Sequence, residues 1–186
     1  MQKFIINILL ITSFFITPIV HAQENNYYNI IYSEVSMYNQ EQTDWITNAI
    51  LYASSTYSLD PLLLTALLEQ ESHFNLNAMS GAGAIGIAQL MPGTASMIGV
   101  DPYNPLENIL GGASYLRTQI DNFTYAGQYN ITYALAAYNA GANAIYEYNG
   151  VPPYKETIEY IYSISDIFNR LNSCLLYTSP SPRDCS

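Results

Sequence analysis

The chain has 186 residues, of which 49% are hydrophobic and 11% charged, so a disordered protein is excluded and one domain with a sizeable core is expected. The formal net charge is −10, and three basic residues lie between Gln23 and Asn172, which argues strongly against nucleic-acid binding. Tyrosine is abundant at 18 residues, and aromatic rings serve both protein cores and sugar-binding grooves.

Residues 1–22 are expected to be a signal peptide. Lys3 gives the segment a positive start, a long apolar run follows, and Ala22 closes a small-residue pattern that predicts cleavage behind it. An uncleaved anchor is the alternative, because the run approaches the length that spans a bilayer. Cleavage would export the protein to the periplasm, the cell wall or the cell exterior.

Residues 23–42 lack clear periodicity and are expected to form a flexible lead-in. Residues 43–172 are expected to form one mostly α-helical domain. Its predicted helices run from Thr43 to Ala53, Pro61 to Ser72, Pro92 to Met97, Pro105 to Phe123, Ile131 to Asn139 and Lys155 to Leu171. Trp45 and Met91 are expected to pack in the core.

Residues 173–186 show no periodicity and contain both cysteines of the chain, Cys174 and Cys185. They resemble translated sequencing-adaptor read-through, so we expect a non-native tail and exclude it from the fold. A Cys174–Cys185 disulfide is the alternative. Without the tail, the domain offers neither a disulfide framework nor thiol chemistry.

The helix predicted from Pro61 carries a carboxylate on its apolar face. Asp60 is a favourable N-cap for this helix, and Glu71 shares one stripe with Leu64, Leu67 and Leu68, while Glu69 points elsewhere. Burial and the negative end of the helix dipole would both raise the pKa of Glu71, which would keep it protonated and able to donate a proton near neutral pH. The alternative is a solvated acid at a helix end.

The segment from Ser80 to Ala95 is rich in glycine, so we expect a loop or a small strand pair. It contains no Asp or Glu that would act as the second carboxylate of an ordinary glycoside hydrolase. The two histidines are His21 and His73, of which His73 is expected at the surface, and neither metal nor other cofactor is expected.

Four separated motifs stand out in the chain. They are Gln70-Glu71-Ser72-His73-Phe74-Asn75, the loop Ser80 to Pro92, Ala136-Ala137-Tyr138-Asn139-Ala140-Gly141, and Glu156-Thr157-Ile158-Glu159-Tyr160. Together they resemble the lytic transglycosylase family, of the soluble lytic murein transglycosylase type with a lysozyme-like catalytic domain, and their order and spacing match the family from about Ile46 to Leu171. Asp101-Pro102 and Asn108 to Gly112 agree more weakly.

The resemblance implies an enzyme, a carbon–oxygen lyase that cleaves the β-1,4 bond between N-acetylmuramic acid and N-acetylglucosamine in peptidoglycan. One glutamate, at the position of Glu71, would act first as acid on the leaving oxygen and then as base on the C6 hydroxyl. That hydroxyl closes onto C1 and gives a 1,6-anhydro product. Because an internal hydroxyl replaces water, no second carboxylate is needed.

The family also implies roles for other positions. Gln89 and Asn139 match residues that hydrogen-bond the sugars, Tyr138 and Tyr160 match tyrosines beside the catalytic glutamate, and Ser80 matches a serine near the acetamido group. Ser72 and Glu156 are expected to be structural, and Ala88 replaces a longer apolar side chain that would line the groove.

Two alternatives of different kinds stay open. A goose-type-like muramidase would hydrolyse the same bond with water, and a non-catalytic module would bind peptidoglycan without turnover. Peptidoglycan glycan strands are the expected partner, with a cell-envelope machine as a further candidate, and a monomer is expected. Wall turnover, division or spore processes, and wall opening for secretion or conjugation remain open as physiological roles.

Overall fold

The computed structural model describes residues 13–176, and the side chains of residues 26–175. The helices are α1 (Ser13–Tyr38), α2 (Thr43–Thr56), α3 (Pro61–Ser72), α4 (Pro92–Ile98), α5 (Pro105–Asn122), α6 (Asn130–Ala140), α7 (Ala142–Tyr148) and α8 (Lys155–Leu176). A 3₁₀ segment, Thr124–Tyr129, joins α5 to α6. The predicted mostly α-helical class is confirmed. None of the helices within residues 13–176 has the length and apolar character needed to cross a membrane.

Helix α3 lies at the centre of the fold. Its start follows the predicted pattern, because the Asp60 carboxylate accepts a hydrogen bond from the Leu62 amide at 2.8 Å and Pro61 occupies the first turn. From Leu62 to Glu69 every residue is buried. Helices α1, α2 and α8 pack around α3. Because α3 is enclosed by other helices, its sequence is apolar on most of its faces.

The Gly-rich segment between α3 and α4 is a loop, as expected. Isolated bridges pair Ile85 with Met79 on one side and with Leu90 on the other. These bridges fold the loop back on itself and bring it against the C-terminal end of α3.

The expectation of a flexible lead-in over residues 23–42 is wrong. Helix α1 continues to Tyr38, and its side chains Ile31 and Val35 are fully buried in the main core. Two buried aliphatic residues at a spacing of four give a weak helical signal among Asn, Tyr and Ser, so tertiary packing rather than periodicity reveals this helix. The helical domain therefore begins before residue 43.

Other expectations at the chain ends fall partly outside the described residues. Residues 1–12 and 177–186 are not described, so the signal peptide, its cleavage behind Ala22 and the non-native origin of the tail stay predictions. Helix α8 runs past the expected boundary at residue 172 to Leu176, and Cys174 lies in its last turn.

The expected core positions of Trp45 and Met91 are also wrong, since they are 39% and 44% exposed. The buried face of α2 consists of Ile46, Ala49, Ile50 and Ala53, and Trp45 lies one residue outside that stripe. Helix α7 and the 3₁₀ segment were not predicted, because both are too short to show a periodicity.

Candidate active site

Glu71 occupies the last turn of α3, where the helix reaches a cleft. Burial raises the pKa of the Glu71 carboxyl from its ordinary value to about 7. The phenol of Tyr160 donates a hydrogen bond to Oε1 of Glu71 at 2.5 Å, and this contact acts in the opposite direction by lowering the pKa. A carboxyl group with a pKa near 7 exists in both protonation states at neutral pH, as acid–base catalysis requires.

Tyr160 belongs to the second turn of α8 and is buried. Burial, and then the nearby charge of Glu71, raise the pKa of its phenol well above the ordinary value. The pKa of Tyr138 is raised for the same two reasons, in the same order. Both phenols therefore stay protonated at neutral pH and act as hydrogen-bond donors.

The Gly-rich loop is tied to the end of α3 and to α6 through its carbonyl groups. The Ser72 hydroxyl donates to the Ile87 carbonyl at 2.8 Å, and the Tyr138 hydroxyl donates to the Ala88 carbonyl at 2.9 Å. Tyr138 thus lies near Glu71, but its hydroxyl donates its hydrogen bond to the loop. The Ser72 bond holds the loop against α3, which carries Glu71, and the Tyr138 bond holds it against α6.

Asn108 of α5 holds the same loop from the other side. Its side chain is fully buried, accepts a hydrogen bond from the Ala88 amide at 2.8 Å and donates to the Ile85 carbonyl at 2.8 Å. The loop needs a glycine at this contact, because a Cβ at Gly86 would lie 2.5 Å from the Asn108 side chain. The weaker sequence agreement around Asn108 therefore marks a residue that shapes the loop.

Ala88 is not among the residues that line the cleft. Its side chain is fully buried and faces Gly112 of α5, where an added Cβ would lie 2.5 Å from the Ala88 Cβ and 3.1 Å from the Tyr138 hydroxyl. Ala88 thus packs between the loop and α5.

The cleft at Glu71 has a volume of about 620 Å³. Its wall brings together Glu71, Tyr160, Asn139 and Glu156 from three different helices, and it also contains Gln70, Lys155, Glu159 and Ser163. The side-chain Oδ1 of Asn139 accepts a hydrogen bond from the Thr157 hydroxyl at 2.8 Å, and this leaves the side-chain N–H groups of Asn139 for a ligand. Glu156, expected to be structural, is exposed in the first turn of α8 at the cleft wall.

Ser80 and Gln89 are not among the residues that line this cleft. Both belong to the Gly-rich loop, and their side chains form hydrogen bonds to its backbone. The Ser80 hydroxyl accepts from the backbone N–H of Ala84 at 3.0 Å, and the side-chain Nε2 of Gln89 donates to the backbone carbonyl of Gly86 at 2.8 Å. Their roles in sugar binding stay predictions. His73 is exposed, as expected, and its ring lies 5.0 Å from that of Tyr38.

The sequence motifs contain Gln70, Glu156, Glu159 and Tyr160, but they predict no role at the cleft for Gln70 or Glu159. No second carboxylate was expected near Glu71, whereas Glu156 and Glu159 of α8 both line the cleft. Ser163 lies outside the four motifs and was not expected there. Ser163 follows Tyr160 by three residues, so helical spacing places the two on one face of α8, and this signal was available.

Glu69 lies on the opposite side of α3 from the cleft, as its position in the helix indicates. Burial, and then the neighbouring carboxylate of Glu34, raise its pKa to about 7, and the guanidinium of Arg170 acts against this rise. Arg170 Nη2 bonds Glu34 at 2.9 Å and Glu69 at 3.3 Å. This ion network joins α1, α3 and α8 behind the helix that presents Glu71.

Comparisons with known proteins agree with the resemblance seen in the sequence. The family model for the transglycosylase SLT domain matches residues 48–161. A transglycosylase of Enterobacteria phage PRD1 is 42% identical over 92 residues, which are 49% of this chain and 33% of that protein. Membrane-bound lytic murein transglycosylase F of Cellvibrio japonicus is 37% identical over 99 residues, 52% of this chain and 20% of that protein.

Solved structures show the same fold. An inactive mutant of lytic transglycosylase Slt from Pseudomonas aeruginosa superposes with a TM-score of 0.58 at 26% identity, over 72% of this chain and 25% of that one. The 70 kDa soluble lytic transglycosylase of Escherichia coli gives a TM-score of 0.57 at 20% identity, over 88% and 30% of the two chains. The chain thus spans about a third or less of these proteins. With its family model matched over residues 48–161, the chain belongs to the transglycosylase SLT domain family.

Proposed function

We propose that this protein is a lytic transglycosylase that cleaves peptidoglycan at the β-1,4 bond between N-acetylmuramic acid and N-acetylglucosamine. The observation that carries the proposal is Glu71, a carboxyl group with a pKa of about 7 that is held by Tyr160 and opens on a cleft. The names of the relatives, which include a lytic murein transglycosylase, support the choice of substrate.

In the first step, the protonated form of Glu71 donates its proton to the glycosidic oxygen as the bond from C1 to that oxygen breaks. Burial favours this neutral form of the carboxyl group in the free protein. The positive charge that develops at C1 is stabilised by the acetamido group of the substrate. The N-acetylglucosamine end leaves as the alcohol.

In the second step, the Glu71 carboxylate takes the proton of the C6 hydroxyl of the muramic acid while O6 bonds to C1. The proton returns to Glu71, so one residue completes the cycle and no water is consumed. The Tyr160 hydroxyl supports this step, because its hydrogen bond stabilises the carboxylate form. The nucleophile belongs to the substrate, which gives it a high effective concentration.

Hydrolysis is the second candidate, and one observation favours it: Glu156 and Glu159 line the same cleft as Glu71. A second carboxylate would activate a water molecule in an inverting or retaining hydrolase. Both residues are exposed to solvent, and Glu159 lies 3.6 Å from the ammonium group of Lys155. Neither is enclosed in the way that Glu71 is.

Digestion of purified peptidoglycan in ¹⁸O-labelled water separates these functions. We expect released fragments with 1,6-anhydromuramic acid ends and no ¹⁸O, as seen by mass spectrometry, and we expect no release by Glu71→Gln. Glu156→Gln serves as the matched control and should retain anhydro products. Reducing ends that carry ¹⁸O would establish hydrolysis instead, and binding without any release would establish a non-catalytic module.

We further propose that the protein acts outside the cytoplasm, in the periplasm or at the cell wall, as a monomer on glycan strands. The expected signal peptide supports this location, as does the name of a membrane-bound relative. Determining the N-terminus of the exported protein tests it, with Gln23 as the expected first residue.

A further inference from the structure

Two hydrogen bonds, one helical turn apart, join α8 to the end of α3. The Tyr160 hydroxyl donates to Glu71, and three residues later the Ser163 hydroxyl donates to the side-chain carbonyl oxygen of Gln70. All four residues line the cleft. The proposed reaction uses the first pair and leaves the second pair without a role.

The bond from Ser163 determines which way the Gln70 amide faces. An amide group is planar, with its oxygen and nitrogen on opposite sides of the terminal carbon. Since the oxygen is held towards α8, the nitrogen is directed away from Ser163. Within the described residues the Gln70 nitrogen has no hydrogen-bond acceptor, and the half-buried side chain borders the cleft. Its two N–H donors are available to a ligand beside Glu71.

We propose that Gln70 is a substrate-binding residue whose amide N–H donates to an oxygen of the glycan next to the scissile bond, and that Ser163 is the residue that orients this amide. The identity of the ligand rests on the proposed function. A neutral glycan offers hydroxyl and acetamido oxygens as acceptors, and a neutral donor pair suits them without adding charge beside Glu71.

Binding to insoluble peptidoglycan tests this role without turnover, in the full chain carrying Glu71→Gln. Gln70→Met keeps the length of the side chain and removes its donors, so we expect the affinity to fall about tenfold, the effect of one hydrogen bond. Ser163→Ala should weaken binding about threefold, because the amide loses its fixed orientation. Ser163→Thr should restore binding, since it retains the hydroxyl.

Ser165→Ala is the matched control, because the Ser165 hydroxyl bonds the Ile161 carbonyl of its own helix and no other residue within the described part of the chain. It should bind like the parent protein. In the active enzyme, Gln70→Met and Ser163→Ala should raise KM for soluble glycan strands with little change in kcat, while the melting temperatures stay close to that of the parent.

Unchanged binding by Gln70→Met would overturn the proposal. So would a further loss on adding Ser163→Ala to Gln70→Met, because Ser163 would then act independently of Gln70. The proposed function fails separately: if the wild-type protein releases no anhydro fragments but Gln70→Met still weakens binding, the reaction is wrong and the binding role stands.

Discussion

The hydroxyl of Tyr160 lies 2.5 Å from Oε1 of Glu71, although the two residues are 89 positions apart in the chain. Burial and this hydrogen bond act on the pKa of Glu71 in opposite directions. In the proposed reaction, burial favours the neutral acid that the first proton transfer needs, whereas the phenol favours the carboxylate that the second transfer needs. Under that proposal, the balance of the two effects lets a single carboxyl group serve both steps.

Tyr160→Phe tests this balance. Removing the phenol removes the interaction that lowers the pKa of Glu71, so the pKa should rise above about 7. Because kcat/KM depends on the protonated acid, its fall at alkaline pH should move upward by about one pH unit. The pH profile of glycan cleavage measures this shift. Tyr162→Phe, at a side chain that is 68% exposed on the same helix, should leave the profile unchanged. An alkaline limb that stays in place for Tyr160→Phe would contradict the role of the phenol.

Glu71→Gln should make the protein more stable at alkaline pH. Glu71 has a folded-state pKa of about 7, above its ordinary value of 4.5, so the folded state holds the proton more tightly than the unfolded state. The stability of the wild-type protein therefore falls as the pH rises from about 4.5 to about 7, by about 3 kcal/mol. The neutral amide avoids this loss.

Urea unfolding at pH 5 and pH 8 measures the effect. At pH 8 the free energy of unfolding of Glu71→Gln should exceed that of the wild type by about 3 kcal/mol, and at pH 5 the difference should be much smaller. Glu156→Gln, at an exposed position in the same cleft, should show no such dependence on pH. An equal difference at both pH values would mean that burial of the charge is not the cause.

Gly112→Ala should destabilise the loop that packs against the active site. The added Cβ would lie 2.5 Å from the Ala88 Cβ and 3.1 Å from the Tyr138 hydroxyl, and such overpacking costs about 1–3 kcal/mol. Adding Ala88→Gly should recover part of the loss, as measured by thermal unfolding. Gly93→Ala has nothing within 4 Å of its new Cβ and should be tolerated. An unchanged melting temperature for Gly112→Ala would show that the loop can shift to accommodate the added Cβ at little cost in stability.

Arg170→Met should destabilise the protein strongly at pH 8. The variant leaves the carboxylates of Glu34 and Glu69, which are 2% and 6% exposed, without their counter-charge, and we expect a cost of about 3 kcal/mol. The loss should be smaller at pH 5, because the pKa of Glu69 is already raised to about 7 and rises further without the guanidinium.

Adding Glu34→Gln to Arg170→Met should recover part of that stability, since it removes one of the buried charges. Lys155→Met is the control, because Lys155 and its partner Glu159 are 88% and 65% exposed and an exposed pair contributes little. Equal losses at pH 5 and pH 8 would indicate that lost packing of the arginine side chain, rather than charge, causes the effect.

The sequence was most informative where local rules determine local structure. Asp60 and Pro61 predicted the start of α3, and the stripe that contains Glu71 predicted a carboxylate with a raised pKa. Glycine content predicted an irregular loop between α3 and α4. In each case the cause lies within a few residues along the chain, so composition and spacing are sufficient.

The remaining features depend on contacts between distant segments. Helix α1 belongs to the fold because Ile31 and Val35 are buried against other helices. The packing role of Ala88 depends on its contact with Gly112 of α5. The place of Glu159 in the cleft wall likewise requires the tertiary arrangement. Periodicity assigns a side chain to a face of a helix but does not say which partner that face meets.

The ion pair between Glu34 and Arg170 joins residues that are 136 positions apart, near the two ends of the domain. The ion pair can form only when almost the whole chain is present to fold. If the protein crosses a membrane as an extended chain, as the proposed location implies, the helix that presents Glu71 would gain its final support only after α8 had emerged. Under that proposal, the cleft at Glu71 would be completed last, on the far side of the membrane.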